Sequence, residues 1–144
     1  RPISLVTIYP MEMIIVADIW QWTPFFFIIL LAGLASLPKE IIESAEIDGA
    51  AKFNMVRYIM MPLLKQIIGV ALIIRIVDIF KTFGLPYVMT KGGPGFASEV
   101  ASLYIFNQAL LFLNITYAAS LTIILILIVT VVINVFIRGY GLRF

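Results

Sequence analysis

Three long apolar segments constrain the fold of this chain more than any other feature of its sequence. They cover about residues 13–37, 64–86 and 117–137. A helix that spans a bilayer needs roughly 20 predominantly apolar residues, so each segment is long enough to cross. With 62% hydrophobic residues, 12% charged residues and a mean hydropathy of +1.10, the chain lies far outside the composition of soluble domains. The sequence therefore predicts an all-α integral membrane protein with three transmembrane helices.

The distribution of charge predicts how these helices are oriented. The polar connector after the first segment and the C-terminus together carry six of the ten Lys and Arg residues, namely Lys39, Lys52, Arg57, Lys65, Arg138 and Arg143. The loop after the second segment carries Lys91 alone. Since cytoplasmic loops are enriched in Lys and Arg, the connector and the C-terminus are predicted to be cytoplasmic. This count favours three spans, with residues 87–114 as an external segment that contains an external or re-entrant amphipathic helix over residues 96–113. All of these elements belong to a single partial transmembrane domain over residues 1–144.

The composition also excludes several kinds of chemistry. The chain has no cysteine and no histidine, which removes disulfides, thiol nucleophiles, imidazole bases and the commonest metal ligands. We therefore expect no catalytic residue, no metal site and no cofactor bound by this chain. The net charge of +2 is small and offers no basic face for nucleic acid. No short apolar stretch with a cleavage site precedes the first segment, so we expect no signal peptide.

The connector over residues 39–62 is the one part of the chain that the properties of a bilayer do not explain. Good helix formers stand on both sides of Gly49, which predicts two short helices that meet at a glycine turn. Two interpretations are open from the residues alone. The connector is either a compact knob that enters a groove in a partner, or an amphipathic linker that lies on the lipid headgroups.

The connector resembles the EAA motif of the membrane subunits of ABC importers. The motif begins with Glu43-Ser44-Ala45 and continues, at the spacing of the family, with Gly49, Ile59 and Pro62; Ser44 replaces the usual alanine, and Met61 the usual leucine. The string Glu-Ile-Asp-Gly-Ala, which includes Asp48 and Ala50, looks like the carbohydrate-uptake branch. A later Thr-x-Gly-Gly-Pro string, with Gly92, Gly93 and Pro94, is similar to permeases of the maltose permease F and glycerol-phosphate permease A type.

This resemblance implies the C-terminal half of a permease subunit in a binding-protein-dependent sugar importer, placed as a multi-pass protein in the cell's inner membrane. It implies that the connector forms coupling helices on a cytoplasmic dimer of ATP-binding subunits, which would hold ATP and Mg²⁺. A second permease subunit and an extracytoplasmic solute-binding protein are the other implied partners. The implied coupling residues are Glu43, Ala45, Asp48, Gly49, Ala50, Ile59 and Pro62, and the implied residues on the binding-protein side are Gly92, Gly93 and Pro94. The family normally has further spanning helices ahead of this region.

Asp18 lies inside the first apolar segment, and Arg75 and Asp78 lie inside the second. Each ionisable group near the bilayer centre costs about 2.5–3.5 kcal/mol on insertion scales, so these residues should face a protein interior or a water-filled cavity. By helical spacing, one face of the first span carries Asp18, Trp22 and Phe25, and one face of the second carries Arg75, Asp78, Ile79 and Thr82. Carboxylates, a guanidinium, a hydroxyl and an aromatic ring suit a polyhydroxylated ligand, and the resemblance implies a substrate site on these two helices. In the alternative, Arg75 and Asp78 only neutralise each other within one helix.

Two other functions remain open at this point. One is an ABC importer permease for an amino acid, a peptide or phosphate. The other is an intramembrane aspartyl protease that uses Asp18 and Asp78 as a pair of carboxylates. Such proteases resemble each other in Tyr-Asp and Gly-x-Gly-Asp strings, whereas Asp18 follows Ala17 and Asp78 follows Val77 in this chain.

Overall fold

The computed structural model describes residues 5–141, and within them every regular element is a helix. The predicted all-α fold is therefore confirmed. The helices are α1 (Leu5–Ile8), α2 (Pro10–Ala35), α3 (Lys39–Ile47), α4 (Lys52–Met55), α5 (Met61–Lys81), α6 (Gly84–Met89), α7 (Ala101–Phe106) and α8 (Ile115–Tyr140). Two π-helical turns, Val56–Met60 and Asn107–Leu111, follow α4 and α7 directly.

Two of the described helices, α2 and α8, are long and apolar enough to cross a membrane. Each has 26 residues, which corresponds to about 39 Å of helix, against a hydrocarbon core of about 30 Å. Helix α5 has 21 residues and is about 31 Å long, but it carries Lys65, Arg75, Asp78 and Lys81. The first and third predicted segments largely coincide with α2 and α8. The second, residues 64–86, was predicted too long, because Thr82 leaves the helical conformation with a ψ of 111° and α5 ends at Lys81, ahead of α6.

Proline residues mark how α2 is built. Pro10 is its first residue, where the missing N–H would have no partner in the helix. The helix continues through Pro24 and ends at Ala35, where the Ser36 hydroxyl donates to the Gly33 carbonyl oxygen at 2.7 Å. Pro38 then stands in an extended conformation directly before α3. The helix thus ends ahead of Leu37, the residue whose conformation Pro38 restricts.

The connector turns sharply at the end of α3. Gly49 has a φ of +74°, its N–H donates to the Glu46 carbonyl oxygen at 3.1 Å, and the Ala50 N–H donates to that of Ala45 at 3.0 Å. This pair of bonds is a Schellman motif, in which a left-handed residue satisfies the last carbonyls of a helix. The sequence signal for the turn was the glycine itself.

Beyond the turn the structure differs from the prediction of two short helices, because the second one does not end before α5. Helix α4 runs through the π-turn Val56–Met60 straight into α5, so that residues 52–81 form one helical rod. Pro62 near the start of α5 has no N–H to donate, which weakens the α-helical ladder at this point. The π-turn bridges it, because the Met61 N–H donates to the Val56 carbonyl oxygen five residues back.

Small residues allow α5 to pack between α2 and α8. A Cβ atom added to Gly33 of α2 would lie 3.0 Å from both the Ile67 Cδ1 and the Leu64 Cδ2 of α5. Ala71 of α5 is 1% exposed and Ala118 of α8 is 3% exposed. Close approach at glycine and alanine is typical of helix pairs inside membranes, where the hydrophobic effect does not drive association.

The connector and the end of α8 lie at the same end of the bundle. The Lys65 Nζ stands 5.1 Å from the centroid of the Tyr140 ring, which joins the start of α5 to the last turn of α8, close to Arg138. Arg143 lies outside the described residues. At the opposite end, Thr7 of α1 and Pro94 of the glycine-rich loop (residues 90–98) line a cleft of about 250 Å³. This arrangement agrees with the charge distribution, which predicted the connector and the C-terminus on the same side of the membrane.

The segment after α5 holds shorter elements. Helix α6 is followed by a turn in which Lys91, Gly92 and Gly95 have φ values of +52°, +86° and +62°. The next helix therefore begins at Ala101 and, with its π-turn, reaches Leu111. It is shorter than the helix expected over residues 96–113, because residues 96–100 still belong to turns of the loop and Leu113, with a φ of +56°, lies outside the helical conformation.

Candidate functional site

The side chain of Arg75 joins α2 to α5. Its Nη2 donates to Asp18 Oδ2 on the neighbouring helix, and its Nη1 donates to Asp78 Oδ2 at 3.0 Å on the same helix. The guanidinium carbon also lies 4.7 Å from the centroid of the Trp22 ring, within cation–π range. We call Asp18, Trp22, Arg75 and Asp78 the Arg75 cluster.

The Arg75 cluster lies largely out of solvent. The side chains of Arg75, Asp18 and Asp78 are 13%, 18% and 33% exposed. A charge in such a place is tolerated when it is paired, and Arg75 is paired on two sides. The bond within α5 that the sequence indicated is present, but the bond to Asp18 crosses between helices. The cluster therefore does more than neutralise two residues of one helix.

Two open clefts flank Trp22. The first, of about 400 Å³, is mainly apolar and is lined by Asp18, Ile19, Trp22, Thr23, Phe26, Phe27, Leu30 and Arg75. The second, of about 480 Å³, is more polar and is lined by Asp18, Gln21, Trp22, Asp78, Lys81, Thr82, Phe83, Gly84, Leu85 and Val88. Both volumes fall in the range of about 300–1,000 Å³ that is typical of small-molecule sites.

Most of the predicted substrate-lining residues meet at these clefts. Asp18, Trp22, Arg75, Asp78 and Thr82 line one or both of them. Phe25 packs edge-on against Trp22, with 5.1 Å between ring centroids, and lines neither cleft. Ile79 also lines neither cleft, and its side chain is 53% exposed.

Sequence reasoning missed part of the second cleft. Gln21, Phe83 and Leu85 line it without having been singled out. Gln21 stands three residues after Asp18, so helical spacing could have added it to the same face. No such signal existed for Phe83, because it follows the end of α5 and its position depends on the break between α5 and α6.

The connector presents a second candidate surface. Of its predicted coupling residues, Ala45 is buried, Ala50 and Ile59 are half-buried, and Glu43, Asp48, Gly49 and Pro62 are exposed. Two large apolar side chains stand out on either side of the turn, Ile47 at 86% exposed and Phe53 at 70% exposed. No atom lies within 4 Å of the place where a Gly49 Cβ would stand. The tip of the connector is thus open, with apolar side chains beside acids of α3 and the one base of α4, Lys52.

The glycine-rich loop is held by an internal polar network. The fully buried Ser98 hydroxyl lies 2.7 Å from Thr90 Oγ1 and 2.8 Å from the Gly93 carbonyl oxygen. The Gly92 N–H donates to Thr90 Oγ1 at 3.2 Å, and a Cβ on Gly92 would stand 3.4 Å from Leu103. Gly92 is therefore buried within the loop and against α7, whereas Pro94 is exposed.

A protease dyad does not fit the Arg75 cluster. Two catalytic aspartates share a proton and need room between them for water. In this structure one guanidinium binds an oxygen of each carboxylate. Within residues 5–141, no group of three or more His, Cys, Asp or Glu residues is placed to hold a metal ion.

The comparisons with known proteins agree with one another. Residues 2–140 match the family model described as "Binding-protein-dependent transport system inner membrane component". The chain is 47% identical over 94 residues to the trehalose/maltose transport system permease protein MalF of Thermococcus litoralis, covering 65% of this chain and 32% of that protein. It is 37% identical over 120 residues to the sulfoquinovosyl glycerol transport system permease protein SmoG of Agrobacterium fabrum, covering 83% of this chain and 39% of that protein.

A solved structure gives the same result for the fold. A chain of a bacterial ABC transporter involved in the import of the acidic polysaccharide alginate matches with a TM-score of 0.76 and 26% identity. The match covers 88% of this chain and 45% of that chain. This chain thus spans about a third to two fifths of the two curated relatives and less than half of the solved chain.

Proposed function

The chain belongs to the family of binding-protein-dependent transport system inner membrane components, and we propose that it forms part of the translocation pathway of an ATP-driven importer for a sugar or sugar-like solute. It is a multi-pass subunit of the inner membrane in this proposal. The two relatives described above are named as permeases for trehalose/maltose and sulfoquinovosyl glycerol, which supports a sugar as the solute. No observation favours an amino acid, a peptide or phosphate.

The observation that carries the proposal is the helical rod over residues 52–81. One end of the rod emerges from the Gly49 turn, and the other end carries Arg75 and Asp78 beside the clefts. Its 30 residues correspond to about 45 Å, longer than the hydrocarbon core is thick. A force applied to the connector would reach the Arg75 cluster along the continuous helical backbone of the rod.

The connector is the proposed docking surface for an ATP-binding subunit. A dimer of such subunits holds ATP and Mg²⁺ and performs the hydrolysis, and this chain contributes no catalytic group. Glu43, Ala45, Asp48, Gly49, Ala50, Ile59 and Pro62 form the coupling element, in which the Schellman motif fixes the turn and the exposed side chains meet the partner. Closure of the ATP-binding dimer would tilt the rod.

The two clefts beside Trp22 are the proposed share of this chain in the solute pathway. Asp18, Arg75, Asp78 and Thr82 offer donors and acceptors, and the ring of Trp22 offers a face on which a sugar can stack. Phe25 supports Trp22, and Ile79 borders the cluster on α5. A second permease subunit completes the pathway, and an extracytoplasmic binding protein delivers solute near Gly92, Gly93 and Pro94.

Uptake into lipid vesicles tests this proposal. The complete transporter that contains this chain is reconstituted with its ATP-binding subunits and its solute-binding protein, and labelled disaccharides, amino acids and phosphate are offered in turn. We expect accumulation of a sugar with ATP and none with a non-hydrolysable ATP analogue. Uptake that ignores ATP would refute the coupling, and uptake of amino acids or phosphate alone would refute the solute class.

A further inference from the structure

One part of the wall of the second cleft belongs to no helix. Helix α5 ends at Lys81 and α6 begins at Gly84, and the two residues between them, Thr82 and Phe83, both line the cleft. The Thr82 hydroxyl donates back to the Asp78 carbonyl oxygen at 3.1 Å. The last carbonyls of a helix have no partner within it, so the position of this wall depends on contacts from elsewhere in the chain.

Helix α7 supplies the missing hydrogen bond. The Ser102 hydroxyl donates to the Thr82 carbonyl oxygen, across 20 residues of sequence. The hydrogen bond satisfies a carbonyl at the end of α5 and ties the cleft wall to a separate element. A buried carbonyl that loses its partner is unfavourable, so Thr82 should stay where Ser102 can reach it.

The same helix also holds Phe83. The Phe106 ring lies 4.6 Å from the Phe83 ring and 5.6 Å from the Tyr87 ring, measured between centroids. The rings of Phe83 and Tyr87 stack on each other at 5.1 Å. Aromatic pairs at these distances favour particular orientations in addition to burying area. A change in the rotamer of Phe83 would therefore separate two pairs of rings.

Helix α7 is itself fixed in place, and it lies behind the cleft wall. Leu103 is 1% exposed, and the Asn107 amide donates to Glu99 Oε1 at 2.8 Å. No residue from Ala101 to Phe106 lines either cleft. Ser102 and Phe106 can thus affect a solute only through the two residues of the wall that they contact.

We propose that Ser102 and Phe106 are positioning residues for the solute, and that they act through Thr82 and Phe83 in the wall of the second cleft. This inference rests on the proposed transport function and adds residues of the external segment that set the affinity for solute. A binding site loses affinity when the residues that support it are loosened, even if every residue that touches the ligand is kept.

Equilibrium dialysis with the purified transporter in detergent tests this inference. The probes are radiolabelled maltose and radiolabelled trehalose, and each titration gives a dissociation constant and a number of sites per transporter. We expect Ser102→Ala and Phe106→Leu each to raise the dissociation constant about tenfold at an unchanged number of sites. Damage to the overall structure would instead lower the number of sites and leave the dissociation constant of the remaining sites unchanged.

A conservative variant and two matched controls accompany these changes. Ser102→Thr keeps the hydroxyl and should restore the dissociation constant to within about twofold. Ser120→Ala removes a hydroxyl that donates to the Tyr117 carbonyl oxygen at 2.7 Å within α8. Phe112→Leu removes a 63% exposed ring directly after the π-turn that follows α7. Both controls lie outside the two clefts and should leave the dissociation constant unchanged.

The outcomes distinguish the inference from the proposed function. An unchanged dissociation constant in Ser102→Ala or Phe106→Leu, an equal rise in Ser102→Thr or in the controls, or no saturable binding of either disaccharide by the intact protein would each overturn the inference. ATP-driven sugar uptake by the intact protein in vesicles would, in all of these cases, leave the proposed function in place. Absence of that uptake would instead count against the proposed function, and the inference would fall with it.

Discussion

Gly49 carries the most specific backbone requirement of the connector. Its φ of +74° closes the Schellman motif, while the space around its missing Cβ is empty. A side chain at this position therefore affects the turn through backbone strain alone, and it affects a docked partner through bulk. These two effects can be separated, because asparagine adopts left-handed conformations more readily than β-branched residues do.

The first prediction uses that separation. We expect Gly49→Asn to keep the turn and the membrane level of the protein but to lower solute-stimulated ATP hydrolysis by tenfold or more, as a side chain would stand between the connector and its partner. Gly49→Val should in addition destabilise the connector by about 1–3 kcal/mol through strain. Gly141→Asn is the control, since Gly141 has a φ of +67° and equally empty surroundings at the end of α8. Normal coupling in Gly49→Asn would show that this residue serves only the turn.

For the Arg75 cluster, the sequence predicted which residues share a face of each helix. It did not predict which residues of the two helices contact each other. Spacing placed Arg75 and Asp78 on one face of α5 and Asp18 and Trp22 on one face of α2. It could not place Asp18 against Arg75, because the relative height of two helices depends on the connector and on the packing at Gly33. The salt bridge between helices is therefore a finding of the structure.

At the scale of elements, Gly33 fixes how closely α2 approaches α5. We expect Gly33→Ala to have a small effect, because the two atoms nearest to the new Cβ, at 3.0 Å, are the flexible ends of Ile67 and Leu64. Gly33→Leu should separate the helices and destabilise the protein by about 1–3 kcal/mol. Thermal unfolding in detergent measures both, with Gly139→Leu as the control at an open position in α8. Equal unfolding temperatures for the two leucine variants would contradict this packing.

The affinity of the connector for the ATP-binding subunit should also depend on residues that lie next to the predicted coupling residues. Ile47 and Phe53 are the exposed apolar side chains that flank the turn. Large apolar side chains at the centre of an interface can contribute about 2 kcal/mol each, or roughly thirtyfold in affinity. We expect Ile47→Ser and Phe53→Ser to weaken retention of the ATP-binding subunit by about that factor in co-purification.

Phe96→Ser is the matched control for these two variants. Phe96 is 83% exposed, but it belongs to the glycine-rich loop at the opposite end of the bundle. Its replacement should leave retention of the ATP-binding subunit unchanged. Equal losses in all three variants would indicate a general effect of exposed apolar surface and would refute a specific docking role for the connector.

At the scale of the whole molecule, the sequence predicted what depends on length, composition and local spacing. Apolar length placed the three long helices, and glycine and helix formers placed the turn between α3 and α4. The break of α5 at Lys81 and the continuous rod over residues 52–81 were not predicted. Both features depend on which backbone hydrogen bonds form around Pro62 and Thr82. The pattern of side chains in the sequence does not predict these bonds.

The central claim is that an ATP-binding subunit contacts this chain at the connector, and a photo-crosslink tests it most directly. A photoreactive amino acid is placed at Ile47, and a second preparation carries it at Phe96. Both complete transporters are irradiated without solute and with solute and ATP. We expect the Ile47 preparation to form an adduct with the ATP-binding subunit and the Phe96 preparation to form none with it. An adduct between the ATP-binding subunit and position 96, or none at position 47 in either condition, would contradict the account.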